Sequence, residues 1–264
     1  PMHHMYGLET SVILPLVTLH SVVESRPAFP QDVRTALESV DAPRVLVTAP
    51  VHLRALLQAR TQLPPLHAII SATAPLSWET ARLAEQRFQT QVLEIYGCTE
   101  AGSVASRHTV AGASWRPLET MRIETGPGAC RVIAPHLAAP VALHDLLEDD
   151  GKGGFLLRGR DGDIVKVGGK RASLATLTQC LLEIPGVDDG VVFQPRQRRT
   201  AAIARRLAAF VVAPRLRTPD ILVALSQRVD PVFLPRPLRK IECLPRNATG
   251  KLPRQLLEQM LRRG

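Results

Sequence analysis

Aromatic residues are scarce, at 4% of 264 residues, with only two Trp, two Tyr and six Phe. So few rings offer few platforms for stacked bases, which argues against a nucleic-acid partner. The four cysteines, Cys98, Cys130, Cys180 and Cys243, lie far apart and form no C-x-x-C pair. Neither a zinc site nor a disulfide framework is therefore signalled. That usage fits a reducing compartment, and a cytoplasmic location is expected. No run of 18 apolar residues occurs, so no membrane span is expected. No secretory leader is expected, and no internal repeat is visible. The chain starts at Pro1 rather than at a methionine, and Pro1-Met2-His3-His4-Met5-Tyr6-Gly7 reads like the middle of a protein. It is expected to be the C-terminal part of a longer one.

What is present is ordinary in amount: 45% hydrophobic and 22% charged residues suit a soluble globular chain. The length allows one large domain or two ordinary ones. A net charge of +9 favours acidic partners such as nucleotides, coenzyme A or an acidic carrier protein.

Hydrophobic spacing predicts three short buried strands, at Arg44–Thr48, His67–Ser71 and Val92–Tyr96. Helices are expected between them, over His52–Arg60 and from Ser77 to about Phe88, with Ser77 as the N-cap. Strand, helix, strand, helix, strand is a parallel α/β arrangement. An earlier helix is expected over Gln31–Val40. The apolar stretch 11–23, broken by Pro15, predicts a buried, kinked helix.

Residues 102–160 are rich in Gly and Pro and predict a small β subdomain, with a turn at Glu148–Gly154. After Arg160 come a strand at Ile164–Val167, a helix at Ser173–Leu182, strands at Gly190–Phe193 and Leu207–Val212, and helices at Thr218–Val229 and Leu252–Arg263. These predict a small α+β domain. The arginine-rich run Arg196–Arg206 reads as a solvated loop or hairpin.

Polar chemistry concentrates where the third strand ends, in Tyr96-Gly97-Cys98-Thr99-Glu100. Ligands of α/β domains sit at the carboxyl ends of strands. Gly97 lets backbone approach a ligand closely. Thr99 can donate to a phosphate oxygen, and Glu100 can hold Mg²⁺ through one carboxylate. A strand, a turn and a helix start without chemistry is the plain alternative for this stretch taken alone.

Several stretches together resemble the adenylate-forming synthetases, the family of acyl- and aryl-CoA synthetases, luciferases and peptide-synthetase adenylation domains. Pro1–Gly7 resembles the family's P-x-x-H-x-x-G segment, with His4 as the motif histidine. Ser71-Ala72-Thr73-Ala74-Pro75-Leu76 is similar to the adenine-side loop, and Tyr96–Glu100 matches Y-G-x-T-E. Leu143-His144-Asp145 stands where the family has T-G-D, and Asp145 precedes Arg160 by 15 residues. Asp163–Arg171 resembles the opening of the family's C-terminal domain, and Leu244–Lys251 its L-P-x-x-x-x-G-K element.

This resemblance implies an α/β fold: the C-terminal part of the large adenylate-forming domain over residues 1–161, a parallel α/β layer plus a small β subdomain, then a small mobile α+β domain over 162–264. It implies activation of a carboxylic acid by ATP through an acyl-adenylate. A thioester with coenzyme A or the phosphopantetheine of an acyl carrier protein follows. Mg²⁺ is the implied metal, held by Glu100, with no nucleic acid and no membrane span involved.

The implied catalytic residues are Lys251, Glu100 and Thr99. Ser71, Thr73, Ala74, Tyr96, Gly97, Asp145 and Arg160 would bind the nucleotide, with Tyr96 stacking on adenine and Asp145 accepting from the ribose hydroxyls. His4 would border the acyl pocket, and Gly168 and Gly169 the pantetheine channel. Gly162 would be the hinge. Lys166, Lys170 and Arg171 would meet phosphates or simply line a solvated strand edge.

The sequence departs from the family's pattern in four places. Its Ser/Thr/Gly-rich phosphate loop does not occur in these 264 residues, so the chain by itself is expected not to adenylate. His144 and Leu143 replace the glycine and threonine of T-G-D. Gly162 stands where Asp or Lys is usual. Ala175-Thr176-Leu177 occupies the place of a common glutamate. A non-catalytic truncated relative that binds nucleotide or a carrier protein is therefore the alternative expectation. An oxidative luciferase-like enzyme is a third, with no residue favouring it.

Overall fold

Three parallel strands, β1 (Val45–Thr48), β2 (Ala68–Ser71) and β3 (Gln91–Cys98), pair in the order β1-β2-β3. Before them the chain forms α1 (Met5–Leu8), a π-helical turn at Glu9–Ile13, α2 (Leu14–Val17) and α3 (Pro30–Glu38). Helices α4 (Pro50–Gln58) and α5 (Trp78–Phe88) connect the strands. The computed structural model describes residues 4–25, 27–126, 129–160, 162–195, 206–246 and 252–263, the side chains of Ala129 and Arg160 excepted.

Local sequence accounts for these helix starts. Proline opens α3 and α4, where its missing N–H costs nothing. Ser77 caps α5, its hydroxyl accepting from the Thr80 N–H at 3.0 Å. The inward faces of α4 and α5 bring Leu53, Leu56, Ala81 and Ala84 against Ile69 and Val92, all nearly inaccessible. Burying a Leu or Ile side chain contributes about 1.5–3 kcal/mol, so this layer holds the helices on the parallel strands.

The N-terminal expectation holds only in part: residues 11–17 are helical around Pro15, but the helix goes no further and is not buried. Residues 11–23 form no continuous buried helix; α2 stops at Val17, and Leu16, Val17 and Leu19 are largely exposed. Pro15 lies inside a helical run that continues from Met5 through the π-helical segment Glu9–Ile13 to Val17, where its missing N–H interrupts the backbone ladder as proline inside a helix does. Strand β1 is likewise not buried on both faces, since Val45 and Val47 are each 40% exposed at the edge of the sheet.

Strand β3 also runs further than expected. Gly97 and Cys98 are also strand residues, and after the turn at Thr99–Ala101 the chain returns as β4 (Gly102–His108), antiparallel to β3, not as a helix. Strands β5 (Ser114–Pro117), β9 (Asp145–Asp149) and β10 (Phe155–Arg160) extend the same sheet, giving seven strands in the order β1-β2-β3-β4-β5-β10-β9. Most strands of the expected β subdomain continue the main sheet. Only β6 (Arg122–Gly126), β7 (Ala129–Ile133) and β8 (Val141–Leu143) form a sheet of their own.

The chain divides into two compact units, Pro1–Arg158 and Gly159–Gly264. The second begins with the hairpin β11 (Ile164–Val167) and β12 (Lys170–Ser173). Its two-residue turn holds Gly168 and Gly169 at φ +57° and +84°, which a tight hairpin of this hand requires and glycine supplies without strain. Then follow α6 (Leu174–Leu182), β13 (Asp189–Phe193), β14 (Ala208–Val212), α7 (Thr218–Ser226), β15 (Leu238–Lys240) and α8 (Arg254–Arg263). Strands β13 and β14 pair antiparallel, β14 and β15 parallel. Leu177, Leu181, Val211, Ile221 and Leu225 fill the core between this sheet and α6 and α7. Most of the arginine-rich run lies outside the described residues. Among the described residues no helix is long and apolar enough to cross a membrane.

Candidate functional site

Strand geometry sets the first contact. Residues two apart on a strand share a face, so Glu94 and Tyr96 of β3 point the same way. The Tyr96 hydroxyl donates to Asp145 Oδ2 at 2.7 Å, across 49 residues of sequence. Strands β3 and β9 are four places apart in the sheet, a separation of about 19 Å if it were flat. The contact therefore requires the sheet to curl over its cluster of Trp115, Val104, Phe155 and Leu143. Trp115 and Phe155 flank the Tyr96 ring at centroid distances of 5.7 and 5.8 Å, tilted and edge-on, which is the geometry aromatic pairs favour. Two candidate nucleotide residues thus stand on one wall, with the tyrosine ring fixed by its neighbours.

The turn beyond β3 presents Thr99 and Glu100 on the surface. Burial pushes the Cys98 thiol up, and the neighbouring Glu100 carboxylate adds to that. Gly97 has a structural reason of its own: a Cβ there would lie 2.2 Å from the Gly102 carbonyl oxygen. What approaches Gly97 closely is the chain's own hairpin, at the bulge between Tyr96 and Gly97.

Glu9, in the π-helical turn, holds that hairpin from the other side. Its carboxylate accepts from the Ser103 N–H at 2.9 Å and from the Ser103 hydroxyl. Short π segments are frequent at functional sites. His4 stands at the N-cap of α1, so Glu9 ties its helix to the turn that carries Glu100.

The loop after β2 carries Ser71, Thr73 and Ala74. Ser71 is inaccessible, and its hydroxyl has no hydrogen-bond partner among the described residues. Thr73 and Ala74 are exposed, and Thr73 sits at φ +78°, a costly conformation for a β-branched residue. Strain of this kind amounts to about 1–3 kcal/mol and persists only where the surroundings enforce it.

The remaining candidates belong to the second unit or its border. Arg160 ends β10, and Gly162 is exposed with open space around it. Gly168 and Gly169 form the hairpin turn, where a Cβ on Gly168 would meet Val232 Cγ2 at 2.7 Å. Of the three basic residues near it, Lys170 pairs with Asp230, and Lys166 and Arg171 are solvent-facing. Lys251 and the Arg160 side chain lie outside the described residues. The run leading to Lys251 is anchored: Leu244 is buried beside Phe210 and Leu257, and Arg246 grips Asp189 through two bonds of 2.7 and 3.0 Å.

The family described as AMP-binding enzyme matches residues 1–162. The chain belongs to that family. Among curated AMP-binding relatives it is 31% identical over 265 residues to a 4-coumarate–CoA ligase of Halorhodospira halophila, covering 96% of this chain and 63% of the relative. A 3,4-dihydroxybenzoate–[aryl-carrier protein] ligase of Bacillus anthracis is 21% identical, covering 98% of this chain and 62% of the relative. Among solved structures, the anthranilate CoA ligase AuaEII in complex with anthranoyl-AMP superimposes with a TM-score of 0.81 at 19% identity, over 98% of this chain and 58% of that one. At that identity the match establishes the fold. The chain spans about three-fifths of these relatives' length.

Beyond the motif residues, Glu94, Arg107 and Trp115 pack beside Tyr96. Arg107 pairs with Glu94 at 2.7 Å, and its guanidinium lies 4.5 Å from the centre of the Trp115 ring. One sequence signal pointed to them: a lone carboxylate inside the apolar run Val92-Leu93-Glu94-Ile95-Tyr96. A charge in such a strand needs a partner.

Proposed function

We propose that this chain belongs to an AMP-forming acid–thiol ligase and supplies its nucleotide wall and its C-terminal domain. The contact that carries this reading is the Tyr96–Asp145 hydrogen bond, which joins two family motifs in one wall. The names of three relatives, for 4-coumarate, 3,4-dihydroxybenzoate and anthranilate, favour an aryl acid as substrate. Coenzyme A or a carrier-protein phosphopantetheine is the thiol.

In the first half-reaction an oxygen of the acid's carboxylate bonds to the α-phosphorus of ATP. The bond from that phosphorus to the bridging oxygen breaks, and pyrophosphate leaves. In the second, the thiol sulfur bonds to the acyl carbon, the acyl–oxygen bond breaks, AMP leaves and the thiol proton passes to solvent. Asp145 accepts from the ribose hydroxyls, with Tyr96 orienting its carboxylate and presenting its ring to adenine. Ser71, Thr73 and Ala74 border the base, and Gly97 gives the wall its tight bulge. Thr99 donates to phosphate, with Arg160 nearby.

Among the described residues no group of three His, Cys, Asp or Glu side chains gathers as a metal cage. One exposed carboxylate, Glu100, suits Mg²⁺, which takes few protein ligands and leaves its other positions to phosphates and water. Bound there, Mg²⁺ neutralises phosphate charge. Lys251 supplies the positive charge that lets two anions meet. His4 borders the acid, and Gly168 and Gly169 leave room for the pantetheine arm. Residues 1–161 and 162–264 act as the two domains, with Gly162 as pivot.

Calorimetric titration of the 264-residue chain with AMP tests the wall. One AMP binds per chain, with Kd in the micromolar to millimolar range, about −4 to −8 kcal/mol. Absence of binding at millimolar AMP contradicts the reading.

A further inference from the structure

We propose that the buried Glu94–Arg107 pair is a positioning device for the nucleotide site, holding the loop on one side of it and the tyrosine platform on the other. The inference rests on the nucleotide reading above and concerns residues outside its motifs. Glu94 is 2% exposed, and Arg107 lies directly across from it in the β3–β4 hairpin. Every contact the carboxylate makes is with a donor. Leu76 N–H reaches Oε1 at 2.9 Å, while Arg107 Nε, at 2.7 Å, and the Thr109 hydroxyl, at 3.0 Å, reach Oε2. Arg107 Nη2 adds a second contact to Oε2 at 2.7 Å and extends to the Leu76 carbonyl at 3.5 Å.

Both polar groups of the Leu76 backbone are thus held by one ion pair. Leu76 is itself buried and closes the loop that carries Thr73 in its left-handed conformation. Something must over-determine such a backbone, and a charge-assisted anchor three residues away does so. Burial pushes the Glu94 carboxyl up, opposed by Arg107 and the Leu76 and Thr109 donors.

The same arginine also supports the tyrosine. Its guanidinium lies over Trp115, whose ring packs against Tyr96, whose hydroxyl meets Asp145. A planar guanidinium can pair and stack at once, which an ammonium cannot. Glu94, Arg107, Trp115, Tyr96 and Asp145 therefore form one continuous chain of contacts, with the Leu76 loop attached at its head. A buried ion pair is in general weak evidence for stability, since apolar residues of similar volume often replace it at no cost. Its value here is geometric.

That distinction gives the test. Glu94→Met releases Leu76 and strands a buried arginine, so the thermal midpoint falls. Glu94→Met/Arg107→Met removes the stranded charge, and the midpoint returns toward wild type. If the pair positions the site, AMP binding in the double variant, titrated well below the midpoint, stays about tenfold weaker than wild type. The amides of Ala72, Thr73, Ala74, Leu76 and Ser77 also exchange about tenfold faster in the nucleotide-free protein. AMP affinity returning together with the midpoint would falsify the positioning role. So would wild-type amide exchange in both variants, a readout that needs no bound nucleotide. Failure of the wild-type chain to bind AMP contradicts the nucleotide reading instead, and the exchange rates then decide the role of the pair alone.

Discussion

Lys251→Ala lowers acyl-adenylate formation about 10³-fold, the scale of losing one fixed charge from a phosphoryl-transfer site. Thioester formation from preformed adenylate stays near its wild-type rate. The asymmetry follows from the charges in each step. In the first, a carboxylate must approach a phosphate that already carries negative charge, and a compact cation between them offsets the repulsion. In the second, a thiol attacks an acyl carbon and the leaving group is AMP, so no anion needs to be forced onto another. On either side of Lys251 in the sequence, Leu244 is buried, Arg246 is fixed to Asp189, and α8 begins at Arg254. Measured in the full-length protein, equal losses in both half-reactions refute this role.

Asp145→Ala weakens AMP binding about thirtyfold, about 2 kcal/mol, as expected when hydrogen bonds to a charged group are lost. Tyr96→Phe keeps the ring and removes the hydroxyl, so its effect is smaller, about threefold. The two are not independent. The Tyr96 hydroxyl acts on nucleotide by orienting Asp145, so Tyr96→Phe has no further effect once Asp145 is alanine. A double-mutant cycle measures that coupling. Additive losses would show that Tyr96 and Asp145 meet the nucleotide separately.

Much of the parallel layer was legible because it follows local rules. The apolar runs of β1, β2 and β3 alternate with helical spacing, and Ser77 marked the start of α5 as a capping serine should. The misreadings have physical causes. Hydrophobic spacing in residues 11–23 suggested burial, but Leu16, Val17 and Leu19 face outward, and apolar spacing alone does not say what covers a face. The extension of β3 through Gly97 and Cys98 was hidden because a glycine after an apolar run looks like a strand end. The Gly168-Gly169 pair between Val167 and Lys170 carried a hairpin signal that went unused, since two glycines between strands favour a tight turn.

The site was legible only in part. Tyr96 and Asp145 were each picked out by motif, but their contact depends on the curl of a seven-stranded sheet, which no local pattern encodes. Glu94 was visible as a charge in an apolar strand. Its partner required the β3–β4 register, which sets Glu94 opposite Arg107. Glu9 carried no signal, because its role depends on a turn 94 residues away in sequence.

The central claim is that an acid oxygen bonds to the α-phosphorus of ATP. Isotope transfer in the full-length protein tests it most directly. An aryl acid labelled with ¹⁸O in its carboxylate is incubated with ATP, Mg²⁺ and coenzyme A, and the released phosphates are analysed by mass. One labelled oxygen recovered in AMP, with none in pyrophosphate, is the predicted result. Label appearing in inorganic phosphate with ADP as co-product would contradict the account, since it would place the attack on the γ-phosphorus.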